Sequence, residues 1–178
     1  MEKSPPSLRS RMFVDRFATD SYQNILFSLI QFPLFAREML HGSNNSYPDE
    51  IVLSFPNKLT VVSHEFKRSR FLDLHLPAAR WARTTEYIGI NPPFDATRMA
   101  EIETGDLLRG YGAWRNDVYG VGELLAKKRK ARGWDEEDFR RGVLERLPAG
   151  DTRSEIEGLL LWSDEKDLTK FYEGKVPW

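Results

Sequence analysis

The spacing of apolar residues changes along the chain, and each change predicts a different element. Between Ile25 and Ala36 the run ILFSLIQFPLFA is apolar at nearly every position, so a helix through it is apolar all round instead of along one stripe. Asp20 or Ser21 is placed to cap that helix, which extends to His41 and stops at Gly42. Pro33 lies inside it, lacks an amide donor, and is expected to kink or divide it. The loop composition GSNNSYPDE follows. The pattern then shifts to a period of two. EIVLSF and LTVVSHEF flank Pro56, Asn57 and Lys58, and in RFLDLHL the leucines 72, 74 and 76 alternate with Phe71, Asp73 and His75. This predicts a three-stranded antiparallel meander over about residues 50–76.

Beyond Pro77 the pattern reads as short helices. AARWARTTEYI places Trp81, Thr85 and Ile88 on one stripe before Gly89, and Asp95 caps a segment containing Met99 and Ile102. Helices over 117–132 and 136–147 are expected to meet at Gly133 and Trp134. SEIE (Ser154 to Glu157) has the spacing of a capping box, and Ser163 is placed to start a last helix with Leu168, Phe171 and Tyr172 inward. The glycine-rich span 105–122 has no clear period. The expected fold class is therefore α+β, predominantly helical. Residues 1–19 form an extended N-terminal tail and 20–178 a single domain.

Charge changes this picture little overall, because 26 Lys and Arg nearly cancel 27 Asp and Glu. No global field draws the protein to phosphate or anionic lipid, so a charged partner has to meet a local patch. The densest patch is Lys127, Lys128, Arg129, Lys130 and Arg132, followed by Asp135, Glu136, Glu137 and Asp138. At a helix junction, cations sit in the last turn of one helix and anions in the first turn of the next, where the helix dipoles favour them. In a nucleic-acid reader the four acids would repel the backbone. The junction is the first reading, and a nucleic-acid contact through Lys127 to Arg132 the alternative. Lys67, Arg68 and Arg70 of FKRSRF would add to a patch only if the fold brings them near.

Candidate chemistry is sparse. Without cysteine there is no disulfide, thiolate zinc site or cysteine nucleophile, which fits a reducing intracellular compartment. The Arg- and Ser-rich start SLRSRMFVDRF resembles a mitochondrial transit segment in composition, although Glu2 and Asp15 count against it. His41, His64 and His75 form no HExxH pattern, and the glycine pairs 110/112 and 120/122 lack the third glycine of a dinucleotide fingerprint. Neither a metal nor a cofactor is expected. In the meander, Ser63 would lie opposite Asp73 with His75 on the same face, the residue types of a serine hydrolase, although a one-residue slip dissolves the group.

The function these patterns favour is that of a non-catalytic subunit or adaptor. The expected partner contacts are Phe27, Ile30 and Phe35 of the apolar helix and Val176 and Trp178 of the C-terminal tail. The partners are other protein subunits, with peripheral membrane contact as a rival. The run of twelve residues is too short to span a bilayer, which takes about 20.

Overall fold

The architecture is organised by its longest helix, α1 (Ser21–His41), in a computed structural model that describes residues 11–41, 53–164 and 166–178. Asp20 caps α1, its Oδ1 accepting from the Gln23 amide at 2.8 Å. Pro33 does not divide the helix. The all-round apolar sequence is explained by burial. Tyr22, Ile25, Leu26, Phe27, Leu29, Ile30 and Leu34 are all core residues, and only Asn24, Ser28 and Phe32 leave an exposed stripe at four-residue spacing in that stretch. The face expected to meet partners meets the chain itself.

The expected antiparallel meander is not formed. Among the described residues the sheet has two strands, β1 (Lys58–Ser63) and β2 (Thr84–Gly89), paired in parallel with Lys58 opposite Thr84 and Ser63 opposite Gly89. A parallel pair requires a crossover, and residues 70–78 supply it as helix: a π-wound segment Arg70–His75 that runs into α2 (Leu76–Ala78). RFLDLHL therefore carried two periods at once. The alternating leucines suggest a strand, but the buried set is Phe71, Leu74, His75, Leu76, Ala78 and Ala79, in which 71, 74, 75, 78 and 79 follow helical spacing. The helix ends where the Arg80 amide bonds Pro77 O and the Trp81 amide bonds Leu76 O, with Arg80 in the left-handed region at φ 53°. That early stop frees TTEYIG, rich in β-branched residues, to become β2 instead of continuing a helix. Of the first expected strand, residues 50–52 lie outside the described part, and 53–55 form no strand.

The glycine-rich span is largely helical. Asp95 caps α3 (Ala96–Asp106), accepting from the Arg98 amide at 2.8 Å, and α3 passes through a π-wound turn Leu107–Tyr111 into α4 (Gly112–Arg115). Next come α5 (Glu123–Ala131), α6 (Glu136–Gly142) and α7 (Asp151–Leu160). The junction of α5 and α6 is the expected one. Gly133 sits at φ 85°, the Trp134 amide bonds Arg129 O, and Asp135 caps α6 through the Asp138 amide at 3.0 Å. Ser154 lies inside α7 instead of capping it, and residues 163–178 contain no helix among those described. The protein is thus mixed α+β and predominantly helical. Among the described residues, no helix is long and apolar enough to cross a membrane.

Candidate functional site

Three chain features converge on one place: the carboxyl end of β1, the first turn of α1 and the inward face of α5. Ser63 ends β1, and the crossover that leaves it carries Lys67 and Arg70. Asp20, Ser21 and Asn24 come from the start of α1, Arg109 from the π-wound turn, and Lys128, Arg129 and Arg132 from α5. Together they line a cavity of about 360 Å³ holding six cationic side chains and one carboxylate, Asp20. In parallel α/β arrangements ligands bind beyond the carboxyl ends of strands, and the free amides of a helix's first turn favour anions.

Two buried ion pairs frame the cavity. Asp20 uses one oxygen to cap α1 and the other to accept from Arg129 Nε at 2.5 Å, with the two side chains 9% and 11% exposed. Arg70 pairs with Asp106 at the same level of burial. Arg129 also lies over the rings of Trp114 (5.7 Å) and Tyr22 (6.0 Å). Even so, Arg70 Nε and Arg129 Nη2 are buried without a hydrogen-bond partner. Among the described residues, Lys67, Arg109, Lys128 and Arg132 form no ion pair with a carboxylate. Burial, and then the neighbouring Arg70 guanidinium, lower the Lys67 pKa from its ordinary value. The pocket is short of negative charge.

Behind it lies His75, fully buried, with Nε2 2.8 Å from Ser21 Oγ and the ring edge-on to Trp114 at 4.7 Å. Burial chiefly, and then Arg70 and Arg129, push its pKa well below the usual imidazole value, so the ring is neutral. Its neutrality spares the site a seventh positive charge, and its contact with Ser21 fixes a hydroxyl at the cavity wall.

The residues singled out in the sequence distribute unevenly over this geometry. The serine-hydrolase grouping of Ser63, Asp73 and His75 is not assembled: Ser63 lines the pocket, Asp73 is exposed, and His75 is sealed behind Ser21. The reason is the helical winding of 70–75, which replaces the strand that would have put Asp73 and His75 on one face. Of the basic run, Lys128, Arg129 and Arg132 line the cavity, while Lys127 and Lys130 are exposed. Lys67 and Arg70 do join them, but Arg68 is held by Glu65 through two bonds of 2.5 and 2.8 Å.

Among the expected partner contacts, Phe27 and Ile30 are fully buried, and Phe27 stacks on Phe139 at 4.1 Å. Phe35 is half-buried 5.7 Å from Phe13. Val176 packs against the core, and Trp178 donates its indole N–H to Ala79 O at 2.9 Å. The C-terminal tail is docked on its own chain.

Sequence reasoning missed Asp20, Ser21, Asn24 and Arg109 as site residues, and raised Lys67 and Arg70 only as conditional additions to the basic run. A usable signal was the cluster of cations a few residues beyond LTVVS, once that run is read as a parallel strand.

No family model matches the chain, and no solved structure matches it. Over 175 residues the chain is 23% identical to an uncharacterised protein, YOR238W, of Saccharomyces cerevisiae. The match covers 92% of this chain and 50% of the yeast protein, so the chain spans half the length of that relative.

Proposed function

We propose that the protein binds a phosphate-bearing small molecule in the pocket between α1, β1 and α5. The observation that carries this reading is the charge of the cavity wall: six cations against one carboxylate, four of the cations without an ion pair among the described residues. A cluster of that kind is electrostatically costly when empty and is relieved by a dianion. The N-terminal turn of α1 lines the same cavity, and its helix dipole favours the same charge. A nucleic acid through the same cations is less favoured. Lys128, Arg129 and Arg132 turn into a concave cavity, and the exposed Glu136, Glu137 and Asp138 follow directly along the chain. Calorimetric titration with inorganic phosphate and with pyrophosphate tests the reading. Binding that Lys128→Glu weakens at least tenfold supports it, and absence of heat with both anions in the folded protein refutes it.

A second reading, the subunit of a larger assembly, is favoured by the sheet. Purely parallel sheets are ordinarily covered on both faces and built from more than two strands. Here Val62, Ile88 and Ile90 are 62%, 41% and 61% exposed on the uncovered side. Because the Ile90 amide bonds Ser63 O, alternation turns the backbone groups of Thr60 and Val62 to the edge of β1 that no strand among the described residues occupies. Partner contact in this reading runs through that edge and not through α1. Hydrogen exchange on the native particle tests it: amides of Thr60 and Val62 that stay as unprotected there as in the isolated chain would dismiss the reading.

A further inference from the structure

Lys67, Arg70, Arg109 and Gly110 wall the anion cavity on one side and a second cavity of about 620 Å³ on the other. The two cavities therefore adjoin across Lys67, Arg70 and Arg109, and a ligand that reaches round these side chains meets both. At Gly110 the space a Cβ would take is filled by the Arg70–Asp106 ion pair, which stands in the wall between the two cavities. The lack of a side chain at residue 110 therefore leaves room for that charge pair.

The second cavity has a different chemistry from the first. Its walls include Phe66, Arg98, Glu101 and Ile102. The Phe66 ring is half-buried and held flat against His64, with centroids 5.1 Å apart and planes at 13°. The Lys67 ammonium lies 5.7 Å from the same ring. Arg98 and Glu101, bonded at 2.8 Å, form a solvent-exposed pair, where screening by water leaves a second phosphate little to gain. What remains on offer is the part of the Phe66 ring that lines the cavity, a planar guanidinium and the apolar side chain of Ile102. These suit a flat heteroaromatic ring. A sugar alone would leave the aromatic face unused, and inorganic phosphate would leave the whole second cavity empty.

We infer that the ligand is a nucleoside phosphate, its phosphate among Arg70, Lys128 and Arg129 and its base against Phe66. The inference rests on the phosphate reading above. Isothermal titration of the full chain with inorganic phosphate, ribose 5-phosphate and AMP separates the two. AMP binds about tenfold more tightly than ribose 5-phosphate, as stacking of one base allows. Phe66→Ala removes that advantage while leaving inorganic phosphate within twofold, and Phe66→Trp keeps the advantage. Lys128→Glu weakens all three ligands. Circular dichroism confirms that each variant is folded. Equal affinities for AMP and ribose 5-phosphate overturn the nucleoside inference and leave the phosphate reading standing. An AMP preference untouched by Phe66→Ala overturns the placement of the base, and with it the inference. If none of the three ligands binds the folded protein, both fall.

Discussion

Replacing Asp20 by Asn separates the two tasks its carboxylate performs. Asn caps a helix about as well as Asp, so the bond to the Gln23 amide survives the change. The charge that offsets Arg129 does not. With both side chains only about a tenth exposed, the guanidinium is left mostly buried without its counter-ion. Breaking such a pair costs roughly 3–5 kcal/mol, and the open mouth of the cavity argues for the lower end, about 3. Asp20→Ala loses the cap as well, which adds about 1 kcal/mol. Urea denaturation followed by tryptophan fluorescence, in chloride buffer, reads both losses. Phosphate is then the decisive addition. At about a hundred times its dissociation constant a ligand stabilises the folded state by roughly 2.7 kcal/mol. In Asp20→Asn the anion also supplies the missing negative charge, so the variant should gain more from phosphate than the wild type does. A variant within about 0.5 kcal/mol of wild type refutes the buried-pair argument. A gap that phosphate leaves unchanged refutes the placement of the anion beside Arg129.

Further outcomes follow from single contacts. Gly133→Val destabilises by about 1–2 kcal/mol through backbone strain alone, since φ is 85° and a Cβ there meets nothing within 4 Å; unchanged thermal stability would argue against the left-handed cap. His75 titrates below its unfolded value of about 6.5, so the unfolded chain takes up a proton that the folded chain refuses. Stability is therefore unaffected above that pH and falls below it, by up to about 1.4 kcal/mol per pH unit until the folded pKa is reached. His75→Gln, compared by denaturation between pH 7 and pH 5, loses that part of the slope. Trp178→Ala costs about 2–3 kcal/mol, because the indole is bonded to Ala79 and packed near Phe55 at 5.9 Å. A change below about 0.5 kcal/mol would return the tail to the role of a free partner contact.

What was legible in the sequence was local and strongly marked. The start of α1 at Asp20 and the junction at Gly133 each rest on a cap and a period that neighbouring residues supply, and no distant contact is needed to produce them. The misread segments are those where two local patterns competed and tertiary context chose. Residues 70–76 satisfy both a strand alternation and a helical stripe, and burial of Phe71, Leu74 and His75 against the rest of the core selects the helix. For residues 84–89 the stripe shared by Trp81, Thr85 and Ile88 predicts helix. In the structure Arg80 ends α2 in a left-handed conformation that a non-glycine residue seldom adopts, and the sequence offers no warning of it.

The pocket was less legible than any element, because its wall is drawn from the starts and ends of elements scattered from residue 18 to residue 132. Only the parallel pairing of β1 with β2 turns the crossover back so that Lys67 and Arg70 face the first turn of α1. An antiparallel meander would have sent them elsewhere. The basic run of α5 shows the same dependence on register. As a junction, its cations are satisfied by the dipole at the end of the helix, and that explanation is complete for Lys127 and Lys130. It does not account for Arg129, which reaches back to Asp20 at the start of α1, or for Arg132, which donates to Thr19 O at 2.9 Å. Those two bonds tie the last turn of α5 to the first turn of α1 and bring the positive end of one helix beside the cations of another. Each bond stabilises the fold, but together they concentrate like charge in one cavity, an arrangement that helix capping alone does not call for and that an anion would relieve.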